Sequence, residues 1–344
     1  MRIFKKALTL SDIILSRVIY VLSFLMPRDK KLWIFVGWHQ NSEREIFADN
    51  SKYLFLHTAN NIPSVKAVWI GRDNRICNIL NKEGYDAYSI RSLKGVYYSL
   101  RAGFTFIDAF MRLENWRLSG QSKVIQLWHG KGPKKTGYSS PYSLAAYSKF
   151  TSPNLFRKFH YFIASSDYTA GLVSSSFRIR KEKILVSGLP KYDVLFDDIG
   201  GSRIDINMNL RNKIREARSQ NFDKLIFYAP TFRPDGSNPL MQLELAQLNN
   251  FLLKKNYFLI GSLHPKFSMK NWAPKDRFSN IHFTESGYDI YPLLKNFDLL
   301  ITDYSSLAVD FLLIDKPTIF FVYDIEKYRK EMGLHEDFWD LIPG

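Results

Sequence analysis

Residues 298–324, DLLITDYSSLAVDFLLIDKPTIFFVYD, constrain the fold more than any other stretch of the chain. Leu299-Leu300-Ile301 is a short apolar run that stops at Thr302-Asp303-Tyr304-Ser305-Ser306. A second apolar segment, Leu307 to Ile314, runs up to the break at Asp315-Lys316-Pro317, and Thr318 to Tyr323 is rich in β-branched and aromatic residues. The spacing predicts strand, helix and strand, and two such strands joined by a helix belong to a parallel sheet. The polar group falls where the first strand ends and the helix begins. Free N–H groups and the helix dipole favour an anion there, and two serine hydroxyls add donors. Helix capping by Ser305 or Ser306 is the competing account, but it needs only one such residue.

The same alternation runs through the rest of the chain. Strands are expected at 32–36, 66–70, 104–108, 123–128, 159–165, 183–187, 224–229, 257–262 and 281–283. Helices are expected at 49–57, 75–82, 168–177, 240–255 and 288–296. Residues 198–223 are polar, contain Gly200-Gly201 and form the best linker. Two successive sets of alternating elements predict two doubly wound α/β domains, at 32–197 and 224–344, whose ligands sit beyond the carboxyl ends of the strands.

At 344 residues, 46% of them hydrophobic, the chain has material for two packed cores. Lys and Arg number 48 against 33 acidic residues, an excess of +15 that suits polyanionic partners. The single Cys77 excludes an internal disulfide and, with no cleavable secretory signal, points to the cytosolic side. Residues 1–31 combine Arg2, Lys5 and Lys6, an apolar stretch from Leu10 to Met26, and a second basic cluster of Arg28, Lys30 and Lys31. Asp12 and Arg17 interrupt the apolar part, and about 17 residues is the lower limit for crossing a bilayer. An amphipathic helix in the membrane interface and one packed on the protein's own body both fit; a transmembrane anchor ranks third.

The chemically useful residues follow strands. His129 comes directly after 123–128 and precedes Gly130, Lys134 and Lys135, a setting for a general base beside an anion. His264 and Lys266 follow 257–262, and Thr231 and Arg233 follow 224–229. Arginine is shaped to grip phosphate, although Arg233 is also placed to pair with Asp235. A histidine hydrogen-bonded in a turn is the competing account for His129 and His264. There is no GxxxxGK[ST] loop, no GxGxxG after the first strand, no GxSxG elbow, no Asp-x-Asp, no zinc spacing and no nucleic-acid motif.

Six stretches together, in order, carry a family resemblance: Asp49-Asn50-Ser51-Lys52-Tyr53, Gln126-Leu127-Trp128-His129-Gly130, Gly188-Leu189-Pro190-Lys191-Tyr192-Asp193, Tyr228-Ala229-Pro230-Thr231-Phe232-Arg233, His264-Pro265 and the block from Thr302 to Asp324. With them the chain resembles the CDP-glycerol:poly(glycerophosphate) glycerophosphotransferase family of teichoic-acid and capsule enzymes. The resemblance implies a GT-B-like α/β fold, two Rossmann-like doubly wound parallel-sheet domains facing a central cleft. It implies transfer of a polyol phosphate from a CDP-activated polyol to an anionic polyol-phosphate or lipid-linked acceptor, on the cytoplasmic face of the cell membrane, without metal or other cofactor. In that reading His129 and His264 are catalytic. Asn50, Lys52, Gly130, Lys134, Lys135, Thr231, Arg233, Lys266, Thr302, Asp303, Ser305 and Ser306 bind substrate. Family members run on past Leu341-Ile342-Pro343-Gly344, so a truncated donor domain is expected. A GT-B glycosyltransferase using a nucleotide sugar, and a non-catalytic glycan-binding relative, remain as alternatives.

Overall fold

In the computed structural model the described residues are 10–37, 45–72, 74–109, 113–130, 132–141, 159–263, 278–285 and 287–341. They form two units: 1–129, 143–193 and 198–204 in unit 1, and 130–142, 194–197 and 205–344 in unit 2. Of the expected linker, 198–204 therefore join unit 1 and 205–223 join unit 2.

Unit 1 runs α1 (Leu10–Leu22), β1 (Asp29–Val36), α2 (Asp49–Asn61), β2 (Lys66–Gly71), α3 (Asn74–Lys82), β3 (Ala87–Ser89), α4 (Leu93–Arg101), β4 (Ala102–Ile107), α5 (Leu113–Trp116), β5 (Lys123–Gln126), β6 (Tyr161–Ala164), α6 (Asp167–Phe177) and β7 (Ile184–Val186). Its sheet has the order β3-β2-β1-β4-β5-β6-β7, and every pairing is parallel. Alternate residues of β1 enter opposite cores. Leu32, Ile34 and Val36 pack with Val68, Ile70, Val124 and Phe162, whereas Phe35 packs with Trp69, Phe106, Ile125 and Ile163. A strand covered on both faces needs a nearly continuous apolar run, which Leu32 to Val36 supplies. Each such side chain contributes about 1.5–3 kcal/mol by leaving water.

A short helix, α7 (Asp193–Phe196), follows. Unit 2 then runs α8 (Met208–Ser219), β8 (Lys224–Ala229), α9 (Leu245–Lys254), β9 (Tyr257–Leu263), β10 (Ile281–Glu285), α10 (Tyr291–Leu294), β11 (Leu299–Thr302), α11 (Leu307–Leu312), β12 (Thr318–Phe320), α12 (Ile325–Met332) and α13 (Phe338–Leu341). Its parallel sheet has the order β10-β9-β8-β11-β12.

Several boundaries differ from the sequence pattern for identifiable reasons. The strand expected to reach Trp128 stops at Gln126, because Trp128 has φ 53° and cannot continue a ladder. The helix expected from Leu240 starts at Leu245, because Asn238 caps a 3-10 turn at Pro239–Gln242 first. The helix expected at 288–296 shrinks to one turn, Tyr291–Leu294, and the last strand ends at Phe320. The pair β3 and α4 was not anticipated: β3 is a three-residue edge strand, and Ser92 caps α4 by accepting the Gly95 N–H.

Candidate active site

Each sheet reverses its strand order once, between β1 and β4 in unit 1 and between β8 and β11 in unit 2. The crevice beyond the strand ends at such a reversal is where doubly wound proteins hold ligands.

In unit 1 the residue after β4 is Asp108, fully buried, whose carboxylate accepts the Ser51 N–H at 2.8 and 3.0 Å in the first turn of α2. Burial pushes the Asp108 carboxyl well above the usual carboxylate range and Asp49 pushes the same way, while the Ser51 bonds and Lys191 pull it back. Beside it the buried Asn50 donates to the Trp128 carbonyl at 2.7 Å and accepts the Lys191 N–H at 3.1 Å. The ammonium of Lys191, also buried, donates to the His129 carbonyl at 2.9 Å and lies 3.7 Å from Asp49. Trp128 is held in the left-handed region by Asn50 on its carbonyl and by Gln126, which accepts its N–H at 2.9 Å. Such a conformation costs about 1–3 kcal/mol for a non-glycine residue and persists only where its surroundings over-determine it. The strained turn aims the next residue. His129 stacks on the Trp128 ring at 4.4 Å, with Nδ1 3.4 Å from the Asp108 carbonyl oxygen. An Nδ1–H donated there leaves Nε2 as the proton acceptor.

Lys52 does something else. Its buried ammonium donates to the carbonyls of Ser202 at 2.7 Å and Ile204 at 3.1 Å, tying α2 to the 198–204 segment.

In unit 2, Thr231, Arg233, Thr302 and Asp303 come together beyond β8 and β11. Thr302 Oγ1 donates to the Ala229 carbonyl at 2.6 Å, and Asp303 Oδ1 accepts the Thr231 N–H at 2.9 Å and the Tyr304 N–H at 2.6 Å. Arg233 is buried at the centre. Its Nε and one terminal nitrogen grip Asp324 at 2.6 and 3.0 Å, and the other terminal nitrogen donates to the Thr231 carbonyl and hydroxyl at 2.9 and 3.0 Å. That nitrogen also lies 2.9 Å from Asp303 Oδ2, a charge pair without hydrogen-bond alignment, since Oδ2 accepts no hydrogen bond among the described residues. The rings of Tyr304, Tyr323 and Tyr328 surround the guanidinium at 5.0–5.3 Å. Burial alone would lower its pKa; Asp324 and Asp303 outweigh that and hold it above the ordinary value. Arg233 thus spends its donors on the strand-end loops. Asp235, the partner weighed from sequence, pairs with Lys327 instead.

Ser305 and Ser306 precede α11. Ser305 Oγ accepts the Leu307 N–H at 3.2 Å, while the Ser306 side chain makes no capping bond. Gly132 lies against Ser306: a Cβ at 132 would sit 2.8 Å from Ser306 Cα and 2.9 Å from its nitrogen. The segment behind it is strapped down. Lys134 bridges Leu334, Lys135 N–H donates to the Gly333 carbonyl at 2.9 Å, and His335 N–H donates to the Pro133 carbonyl at 2.8 Å. Gly130 opens this segment with φ 104°, a conformation that favours glycine. His264 and Lys266 lie outside the described residues. Among the described residues no three His, Cys, Asp or Glu side chains converge as metal ligands.

Asp108, Gln126, Lys191 and Asp324 were not singled out from sequence. Asp108 had a visible signal, a carboxylate one residue past an apolar strand; Lys191 and Asp324 lay inside quoted stretches, but their partners are distant in sequence.

Two all-parallel sheets, each gathering polar residues at its strand-order reversal, define an α/β protein built from two Rossmann-like units, the GT-B-type pairing expected above. The solved structure of the wall teichoic acid polymerase TagF shares this fold, with TM-score 0.70 at 22% identity over 97% of this chain and 82% of that one. The chain belongs to the CDP-Glycerol:Poly(glycerophosphate) glycerophosphotransferase family, whose sequence profile matches residues 18–344. It is 29% identical over 252 residues to the teichoic acid ribitol-phosphate polymerase TarK of Staphylococcus aureus, covering 71% of this chain and 47% of that protein. It is 29% identical over 262 residues to the teichoic acid glycerol-phosphate primase of Bacillus subtilis, covering 74% of this chain and 65% of that one. The aligned regions thus span about half to two thirds of the length of these relatives.

Proposed function

We propose that this chain transfers glycerol phosphate, or a related polyol phosphate, from a CDP-activated donor to a hydroxyl of a polyol-phosphate acceptor in teichoic-acid-type polymer synthesis. The observation that carries the reading is His129, presented by the strained Trp128 turn with Nδ1 toward the Asp108 carbonyl, in a member of this family. The acceptor oxygen attacks the β-phosphorus in line, a new P–O bond forms, and the β-phosphorus bond to the bridging oxygen breaks to release CMP. Nε2 of His129 takes the hydroxyl proton. Such a step asks the protein mainly for positioning and charge stabilisation.

Unit 2 holds the donor. Ser305, Ser306 and the backbone N–H groups at the start of α11 meet its phosphates, and Arg233 keeps that turn in shape through Asp303 and Asp324. A TagF crystal soaked with CDPG is a precedent for donor recognition on this fold. The chain works as a peripheral protein at the cytoplasmic face of the membrane, on a lipid-linked or growing acceptor. No described helix is long and apolar enough to cross a bilayer.

The test is CMP release from CDP-glycerol or CDP-ribitol by purified protein with a polyol-phosphate acceptor, beside parallel reactions with UDP-sugars. Release of CMP that disappears in His129→Asn supports the reading. UDP release from a nucleotide sugar, or no turnover with any donor, overturns it.

A further inference from the structure

Lys191 sits on the 3-10 turn Pro190–Tyr192, and its side chain is 1% exposed. Taking an ammonium out of water is costly unless its partners offset the loss. This one donates to the His129 carbonyl at 2.9 Å and lies 3.7 Å from Asp49, an ion pair longer than a hydrogen bond. A neutral amide ties a loop to a helix equally well, and Asn50 does so here. Its side chain donates to the carbonyls of Trp128 at 2.7 Å and Leu127 at 3.4 Å, and accepts the Lys191 N–H at 3.1 Å. A buried charge one peptide further on therefore needs a reason beyond fastening the loop to α2.

Asn50 and Lys191 between them take three successive carbonyls, those of Leu127, Trp128 and His129. The N–H side is held as well. Leu127 donates to the Ile107 carbonyl at 2.8 Å, and Gln126 accepts the Trp128 N–H at 2.9 Å while its own amide donates to the Ala109 carbonyl at 2.9 Å. With planar peptides fixed on both sides, the imidazole keeps only its two side-chain torsions. The stack on Trp128 and the contact of Nδ1 with the Asp108 carbonyl set those. Lys191 also acts on the far residue of that contact: burial and Asp49 raise the Asp108 carboxyl, and the ammonium helps to draw it back. The same charge thus bears on both residues of the Nδ1 contact.

We propose that Lys191 is a positioning residue for the transfer reaction: through the His129 carbonyl it holds the imidazole with Nδ1 on Asp108 and Nε2 presented to the acceptor hydroxyl. It rests on the role given to His129 above, and adds a residue whose buried ammonium is engaged by protein oxygens rather than by substrate. Distance makes the tie matter. A general base works within about 2.6–3.2 Å of the oxygen it deprotonates. A misplacement of about 1 Å costs about a hundredfold in rate. Loss of the ammonium frees the His129 peptide and leaves Asp49 and Asp108 facing each other without the cation beside them.

The test is a double-mutant cycle on the full chain, reading CMP release from CDP-glycerol with a polyol-phosphate acceptor. Lys191→Met keeps the bulk and removes the charge and the donors; should it not fold, Lys191→Gln, which keeps a donor, takes its place. Lys191→Met is expected to lower kcat about tenfold to a hundredfold and to leave the donor KM within about twofold. Added to His129→Asn it is expected to change the residual rate by less than about twofold, because it acts through the imidazole already lost. A second arm records [15N]histidine NMR spectra, with the His129 signals identified by their loss in His129→Asn. The wild type should show the Nδ1–H tautomer, and Lys191→Met a mixture of the two. Wild-type kcat in Lys191→Met, an equal loss in both backgrounds, or an unchanged His129 spectrum overturns the proposal. A wild type that releases no CMP overturns the transfer reading instead, and the tautomer arm then decides whether Lys191 holds the ring.

Discussion

Arg233→Lys separates two roles for the guanidinium: gripping the donor, or holding the turn that grips it. The wild-type side chain makes two charge-assisted bonds to Asp324, two to Thr231 and an ion pair to Asp303, with both carboxylates mostly buried. A lysine keeps the charge but places its donors on one nitrogen, which reaches one carboxylate and not the whole set. Losing two bonds to charged groups at about 1.5 kcal/mol each gives about 3 kcal/mol of destabilisation. Arg233→Met, which leaves Asp303 and Asp324 without a counter-charge, should cost about 3–5 kcal/mol. For a unit of this size the lysine variant should melt about 6–12 °C lower by differential scanning calorimetry. Calorimetric titration with CDP-glycerol, well below both transitions, should show affinity reduced by less than about tenfold. Unchanged melting together with a loss of donor affinity beyond a hundredfold would refute the clamp and put the guanidinium on the ligand.

Three further outcomes follow from the geometry. His129→Asn should lower CMP release by about a hundredfold to ten-thousandfold, the usual worth of a general base, with CDP-glycerol binding and melting unchanged; normal turnover would remove His129 from the mechanism. Asp108 has a folded-state pKa raised above its ordinary 3.8, so its contribution is full below that value and is lost as pH rises through the higher folded one. Urea unfolding of Asp108→Asn should therefore show stability rising relative to wild type as the pH moves from acidic toward neutral, and parallel curves would contradict the assignment. Gly132→Ala places a methyl 2.8 Å from Ser306 Cα, so the segment must lift by a few tenths of an ångström or more. The donor KM should rise by roughly tenfold, and an unaltered KM would mean that the Ser306 turn does not meet the donor.

The strand ends were legible because parallel strands buried on both faces need unbroken apolar runs, and polar residues directly after such runs stand out; the strand-order reversals were not. His129, Thr231, Thr302 and Asp303 were singled out this way. Arg233 was also singled out, but its partners were not. The adjacent Asp235 looked sufficient, while the real partners, Asp303 and Asp324, lie 70 and 91 positions further on. Lys52 shows the converse error source: it sits beside Asn50 in sequence, yet α2 turns its ammonium to the 202–204 carbonyls rather than to the strand ends. Adjacency along a helix does not mean a shared direction, because successive side chains point about 100° apart.

By itself the sequence determined two parallel-sheet units and the presence of histidine and hydroxyl groups at strand ends, because these depend on local periodicity and spacing; the family came from resemblance, six motifs in one order. Only the tertiary structure decided which partners those groups have. It turned Trp128 into a strained pivot by bringing Asn50 and Gln126 onto its two peptide groups. It also converted Arg233 from a surface cation into a buried clamp and laid Gly132 on Ser306. It seated α1 with its leucines outward, a choice that amphipathic spacing cannot make and that the carbonyls held by Arg28 fix.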